Sequence, residues 1–174
     1  ISPYNDEAIV CGQGTLGLEI GQDLSNANSI FISVGGGGLI GGVGGYLKSI
    51  NNQTKMYGIS PENSCVMYES LKADEQLDFP SKPTLSDGTA GGVEFGSITF
   101  QLCKDVIDEF AVVSEDEIID GIRIGVEKHH QLIEGAAGTA IAGFLKYKSD
   151  LIGQTVVIVM CGGNISSEVL KTIL

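Results

Sequence analysis

Ser29-Ile30-Phe31-Ile32-Ser33-Val34-Gly35-Gly36-Gly37-Gly38-Leu39 sets a β-branched apolar run directly against four consecutive glycines. The run reads as a buried strand, and the residues after the glycines read as a helix through about Ile50. In a parallel sheet such a junction lies at the carboxyl end of a strand, where ligands bind. Glycine leaves successive N–H groups bare, and the following helix adds its own free N–H groups and positive dipole end. Charge-assisted hydrogen bonds are worth about 1.5–3 kcal/mol each, so three or four hold a phosphate. A tight turn needs only one or two glycines. Four carry a conformational-entropy cost that an anion cradle explains.

The pattern repeats outward from this stretch. Lys55 to Ser60 reads as a second strand with a helix from about Ser64 to Lys72, and Asp78 to Gly92 is a loop rich in turn residues. Glu109 to Val113 is a third strand. Ser114 and Glu117 then form a capping box, in which hydroxyl and carboxylate satisfy the first free N–H groups of a helix. Ile118, Ile122 and Val126 recur every four residues on one face of that helix. A further helix follows Glu134, and Thr155 to Met160 is the clearest strand of all. Strands separated by helices imply a parallel sheet covered on both faces. The fold class is α/β, with three layers and a mostly parallel central sheet flanked by helices, over a single domain spanning 1–174.

Composition narrows the partners. The chain has 174 residues, 25 of them glycine, and a formal net charge of -12. That field repels nucleic acid and anionic membrane surfaces, so any bound anion must be held by local donors. No apolar run approaches the roughly 20 residues that span a bilayer. Cys11, Cys65, Cys103 and Cys161 show no CxxC or metal-ligand spacing, which suits a reducing, cytoplasmic setting. Ile1-Ser2-Pro3 opens the sequence without methionine, so the chain is expected to be part of a longer enzyme.

The glycine run also satisfies G-x-G-x-x-G at Gly36, Gly38 and Gly41, the dinucleotide fingerprint. That reading requires an acid at the end of the next strand, where this chain has Ser60, with Glu62 just beyond. The Walker pattern is absent. A dinucleotide-binding oxidoreductase domain therefore stays open as an alternative.

Three more small-residue loops punctuate the chain: Ser86-Asp87-Gly88-Thr89-Ala90-Gly91-Gly92, Leu132-Ile133-Glu134-Gly135-Ala136-Ala137-Gly138 and Met160-Cys161-Gly162-Gly163-Asn164. Together with the tetraglycine they describe a wall around a flat cofactor. In order and spacing, VGGGGLIGG, LSDGTAGG, LIEGAAGTAIA and VMCGGN resemble the fold-type II, tryptophan-synthase-β-like pyridoxal-phosphate enzymes. Threonine and serine dehydratases and serine racemase are the nearest members. The stretch from Tyr4-Asn5-Asp6 through Gly12-Gln13-Gly14-Thr15 to Ile20 is similar to that family's approach to the tetraglycine strand.

The resemblance implies pyridoxal 5'-phosphate as cofactor, with backbone N–H groups at Gly35, Gly36, Gly37, Gly38 and Leu39 on its phosphate. It places Cys161 on the pyridine nitrogen, Glu134 in a supporting role near that end, and the Gly88 loop along the ring edge. It implies an L-threonine/L-serine dehydratase, an ammonia-lyase acting on a small amino acid, or alternatively a serine/aspartate-type racemase. It further implies a homo-oligomer, dimeric or tetrameric, in the complete enzyme.

Two departures from the family pattern matter. The Schiff-base lysine lies in a Ser-x-Lys-x-Arg setting that none of the nine lysines here shares, so no catalytic residue is assigned and the chain alone is expected to be inactive. It reads as the cofactor-cradling large domain without the amino-terminal lysine segment and small domain. The family's divalent-cation positions fall on Ser60, the Ser64 carbonyl and Val66. Two hard ligands are thereby lost, and no metal is expected.

Other candidates have simpler readings. His129 and His130 point about 100° apart on a helix and cannot grip one ion together. Glu115, Asp116, Glu117 and Asp120 read as a solvated helix start, and Cys11 and Cys103 as core residues.

Overall fold

The computed structural model describes residues 2–51 and 53–174; Ile1, where the sequence opens, lies outside them. Four parallel strands, β1 (Ser29–Ser33), β2 (Lys55–Pro61), β3 (Glu109–Val113) and β4 (Val156–Ile158), form one sheet in the order β3-β2-β1-β4. Among the described residues, seven α-helices accompany them: α1 (Glu7–Asp23), α2 (Gly38–Ile50), α3 (Val66–Ala73), α4 (Ile98–Val106), α5 (Glu115–His129), α6 (Gly135–Tyr147) and α7 (Ser167–Ile173).

Side chains of successive strand residues leave opposite faces of the sheet, and the core divides accordingly. Ile30, Ile32 and Met56 pack with Ile40, Val43, Val66 and Cys103 from α2, α3 and α4. Phe31, Tyr57 and Ile59 pack with Ile118, Ile122, Ala137 and Ile141 from α5 and α6. Phe31 stacks on Tyr57 with ring centroids 4.3 Å apart. Both faces of β1 and β2 are thus covered, as expected of strands apolar along their whole length. The result is the three-layer α/β architecture with helices on both sides.

The capping box forms as expected: Ser114 Oγ accepts from Glu117 N–H, and Glu117 Oε2 accepts from Ser114 N–H at 2.8 Å. Four readings need correction. Thr155 to Met160 contributes only Val156–Ile158 to the sheet, and Met160 is exposed. Its apolar composition reads like a central strand, but β4 lies at the edge with β1 as its one strand neighbour.

Cys11 is exposed on α1 rather than buried in the core, whereas Cys103 is buried. Glu115 is not merely solvated. Its Oε2 accepts from Leu85 N–H at 2.7 Å and its Oε1 from Asn63 Nδ2 at 3.2 Å, tying the long loop to α5. The helix expected from about Ser64 begins as a 3-10 turn, Glu62–Ser64, and becomes α-helical only at Val66.

Helices α1, α4 and α7 are additions to the sequence reading. Four glycines inside α1 depress its intrinsic helix propensity, so its packing on α2 decides it. The signal for its start is Asp6, whose carboxylate accepts from Ala8 and Ile9 N–H. A similar close crossing joins α5 to α6, where a Cβ on Gly121 would collide with the Gly138 carbonyl oxygen. Gly12, in contrast, has nothing within 4 Å of the place a Cβ would take.

Gly121→Ala is therefore expected to destabilise the fold by about 1–3 kcal/mol through forced separation of two backbones. Gly12→Ala should instead stabilise it by up to about 1 kcal/mol through helix propensity. Chemical denaturation of the two variants against the parent chain checks both signs.

Candidate active site

At the carboxyl end of the sheet, the loops after β1 and β4 meet the 85–92 loop and the start of α6. They surround a cavity of about 350 Å³ lined by Ser33, Gly35–Ile40, Gly88–Gly92, Glu134, Ala136 and Cys161, with Pro3 and Tyr4 closing one side. Parallel topology explains the convergence, because every β-to-α connection emerges at the same rim. The structure thus brings Gly35, Gly36, Gly37, Gly38, Leu39, Gly88, Glu134 and Cys161 to one cavity.

Among the described residues, no protein acceptor takes the N–H groups of Gly35 through Ile40; the first paired amide is Gly41 N–H, on Gly37 O at 2.9 Å. Six consecutive residues whose N–H groups take no protein acceptor therefore line the cavity at the amino end of α2, where the helix dipole adds positive potential. Gly37 caps the helix with φ +85°, a left-handed conformation that disfavours side chains.

Neighbours fill the space around the loop. A Cβ on Gly35 would lie 2.5 Å from Thr89 O, one on Gly37 2.5 Å from Cys103 Sγ, and one on Gly36 2.3 Å from Tyr4 Cδ1. Steric closeness to these neighbours, of which Tyr4 and Thr89 also line the cavity, requires bare backbone here.

Tyr4 is held in turn, its hydroxyl accepting from Glu94 N–H at 2.9 Å. Hydrogen bonds from Asn5 and Ser2 hold the Glu94 carboxyl below its usual pKa range. Neither Tyr4 nor Ser33 was singled out in the sequence. The signal for Tyr4 is its place in the family-like opening stretch; Ser33 has none beyond its position one residue before the glycine turn.

Cys161 and Glu134 form the polar corner of the cavity. Cys161 remains exposed as a residue, yet its Sγ lies 3.4 Å from the Oγ of buried Ser33. Burial of the sulfur pushes the thiol pKa up; the Ser33 hydrogen bond works against that rise, and the negative charge of Glu134 adds to it. Glu134 Oε2 accepts from Asn164 N–H at 2.8 Å, and its carboxylate packs so closely over Gly162 that a Cβ there would lie 2.5 Å from Cδ. Its Oε1 lies toward Gly88, 3.1 Å from where a Cβ would stand.

Ser60 occupies the place where a dinucleotide site needs an acid, and its hydroxyl donates to Val34 O at 2.7 Å. Ser64 Oγ accepts from Ser81 Oγ and Gly91 N–H, and Val66 is buried. Among the described residues no three His, Cys, Asp or Glu side chains cluster as a metal would need. His129 ends α5 and His130 caps it in the left-handed region, both exposed and away from the cavity lining. No lysine is among the described residues that line the cavity.

The family model described as "Pyridoxal-phosphate dependent enzyme" matches residues 1–162. The chain belongs to that family. Its cofactor is pyridoxal phosphate, and the dinucleotide alternative falls with the match.

An L-threonine ammonia-lyase of Thermotoga maritima is 40% identical over 174 residues, covering 100% of this chain and 43% of that protein. Among solved structures, the processed threonine deaminase isoform 2 of Solanum lycopersicum superposes with a TM-score of 0.92 at 30% identity, over 99% of this chain and 51% of that one. Serine racemase of Dictyostelium discoideum gives 0.87 at 32% identity, over 95% and 53%. This pyridoxal-phosphate dependent enzyme chain thus spans about half the length of the relatives it matches. Among the described residues, no helix is long and apolar enough to cross a membrane.

Removing the charge of Glu134 removes one of the influences that raise the Cys161 pKa. Glu134→Gln should therefore shift the pH profile of Cys161 alkylation toward lower pH. Cys103, pushed up to about 12 by burial, should remain unmodified throughout. Peptide mass mapping after timed exposure to iodoacetamide reads both.

Proposed function

We propose that this chain is the cofactor-binding part of an L-threonine/L-serine dehydratase, which converts a β-hydroxy amino acid to a 2-oxo acid and ammonia. One observation carries the reading: six consecutive residues whose N–H groups have no acceptor among the described residues line one cavity with Cys161, in a chain whose relatives include an L-threonine ammonia-lyase. The residues fit the cofactor chemically. Gly35–Leu39 present amides to the phosphate, Cys161 offers a neutral donor to the pyridine nitrogen, and the Gly88 loop runs along the ring edge.

When bound, the cofactor supplies an electron sink that loosens the α-proton and the β-hydroxyl of the amino acid. Cys161 sets how deep that sink is. A thiol would not place a full charge on the ring nitrogen as a carboxylate would, and Cys161 would therefore suit loss of the β-substituent. Glu134, fixed by Asn164 N–H, keeps the wall around Cys161 closed. Burial of the sulfur raises the thiol pKa, and the charge of Glu134 adds to that rise.

No lysine lines the cavity among the described residues. In this reading the lysine comes from residues of a longer protein beyond this sequence, and the chain by itself turns over nothing. The complete enzyme is then a cytoplasmic homo-oligomer acting on a small amino acid. Racemisation is the second reading, favoured by the superposition on serine racemase; removal of the same α-proton leads to either outcome.

The test uses 4'-deoxypyridoxine 5'-phosphate, which lacks the aldehyde and so probes the cradle without a lysine. The chain should quench its fluorescence saturably. Inorganic phosphate should displace it, and the phosphate-free analogue should bind at least about tenfold more weakly, as expected from losing several charge-assisted bonds. Equal affinity for the two analogues would overturn the cradle. In the longer protein, release of 2-oxo acid from L-threonine or L-serine supports the dehydratase, whereas D-serine without 2-oxo acid supports the racemase.

A further inference from the structure

Ser33 is a polar residue at the end of a strand whose middle, Ile30 to Ile32, is apolar, and it is buried to 5% exposure. It precedes Val34 and the glycine loop and reaches the cavity wall beside Cys161. Among the described residues, its hydroxyl has one hydrogen-bond partner, Cys161 Sγ at 3.4 Å, and either atom can donate. A buried hydroxyl on a strand is costly unless it is bonded. Here the bond is directed at the one thiol in the cavity.

We propose that Ser33 is a positioning residue that orients the Cys161 thiol toward the ring-nitrogen end of the cavity. The inference rests on the cofactor reading above and extends it to a residue outside the glycine loop.

The geometry gives two arrangements. If Cys161 donates to Ser33 Oγ, the S–H is spent inside the protein. If Ser33 donates to Sγ, the S–H is free to turn to an acceptor in the cavity, and hydrogen bonds in series strengthen one another. A ring nitrogen carrying a lone pair selects the second arrangement. Ser33 O–H then donates to Sγ while S–H donates to the nitrogen. A thiol is a weak donor on its own, so a hydroxyl behind it compensates for the chemistry that Cys161 lacks. Glu134 and Tyr4 are the other ionisable side chains lining the cavity among the described residues. Glu134 raises the thiol pKa, whereas the Ser33 bond lowers it.

The experiment compares the full chain with Ser33→Ala and Ser33→Thr, all carrying Cys11→Ser to remove the other exposed thiol. The first readout needs no cofactor: the rate of Cys161 alkylation by iodoacetamide against pH. Ser33→Ala should move the profile up by about one pH unit, making alkylation about tenfold slower at pH 8. Ser33→Thr, which keeps a hydroxyl on a strand that tolerates β-branching, should restore it.

The second readout is protection of Cys161 from alkylation by 4'-deoxypyridoxine 5'-phosphate. Protection should be strong in the parent chain and in Ser33→Thr, and several-fold weaker in Ser33→Ala. An unchanged pH profile in Ser33→Ala overturns the role of Ser33. A shifted profile with no protection in any of the proteins supports the Ser33–Cys161 coupling while removing the cofactor reading of the cavity.

Discussion

The structure turns on the crowding around residues 35–37. Thr89, Tyr4 and Cys103 press against the backbone at the three positions where a Cβ would stand, so the chain must run bare there. Among the described residues, the amides of Gly35 through Ile40 have no acceptor. An unpaired buried amide costs free energy comparable to a lost hydrogen bond. A run of such amides at a helix start is tolerated because it faces a cavity where an anion or water can reach it. Packing and ligand chemistry are therefore two sides of one backbone segment.

That crowding also explains why segments distant in sequence are tied together. The 85–92 loop, which supplies Thr89, is fastened to α5 through Glu115 and to the 3-10 turn after β2 through Ser64, while Asn63 of that turn holds Pro83 just ahead of the loop. Tyr4 is fastened through Glu94. A loop this long with little regular structure holds its shape when its polar groups are satisfied locally, and here serine, threonine and asparagine side chains satisfy them. The negative surface and the anion cradle coexist for a related reason. The net charge acts at long range and is screened by salt, whereas the amides act at contact distance.

Much of the architecture was legible because it rests on local chemistry. The strand-to-tetraglycine junction, the Ser114–Glu117 box and the β1 and β2 apolar runs each carry their own signal, and each forms. The elements that were not legible depend on distant partners. Helix α1 is glycine-rich and owes its helicity to close packing on α2. Thr155 to Met160 is as apolar as a central strand, yet its sheet position leaves it one neighbour. Glu115 looks like any acid in a first helical turn until the loop carrying Leu85 folds onto it.

The sequence alone determined an α/β chain with small-residue loops in the order shared by pyridoxal-phosphate dependent enzymes, because strand period, caps and glycine runs are written residue by residue. Tertiary structure alone decided which loops share a cavity, that Tyr4 backs the glycines and that Ser33 meets Cys161. Those are distances between segments as many as 128 residues apart, and sheet order sets them rather than local sequence. A hydroxyl and a thiol so far apart along the chain become a pair only because β4 lies beside β1.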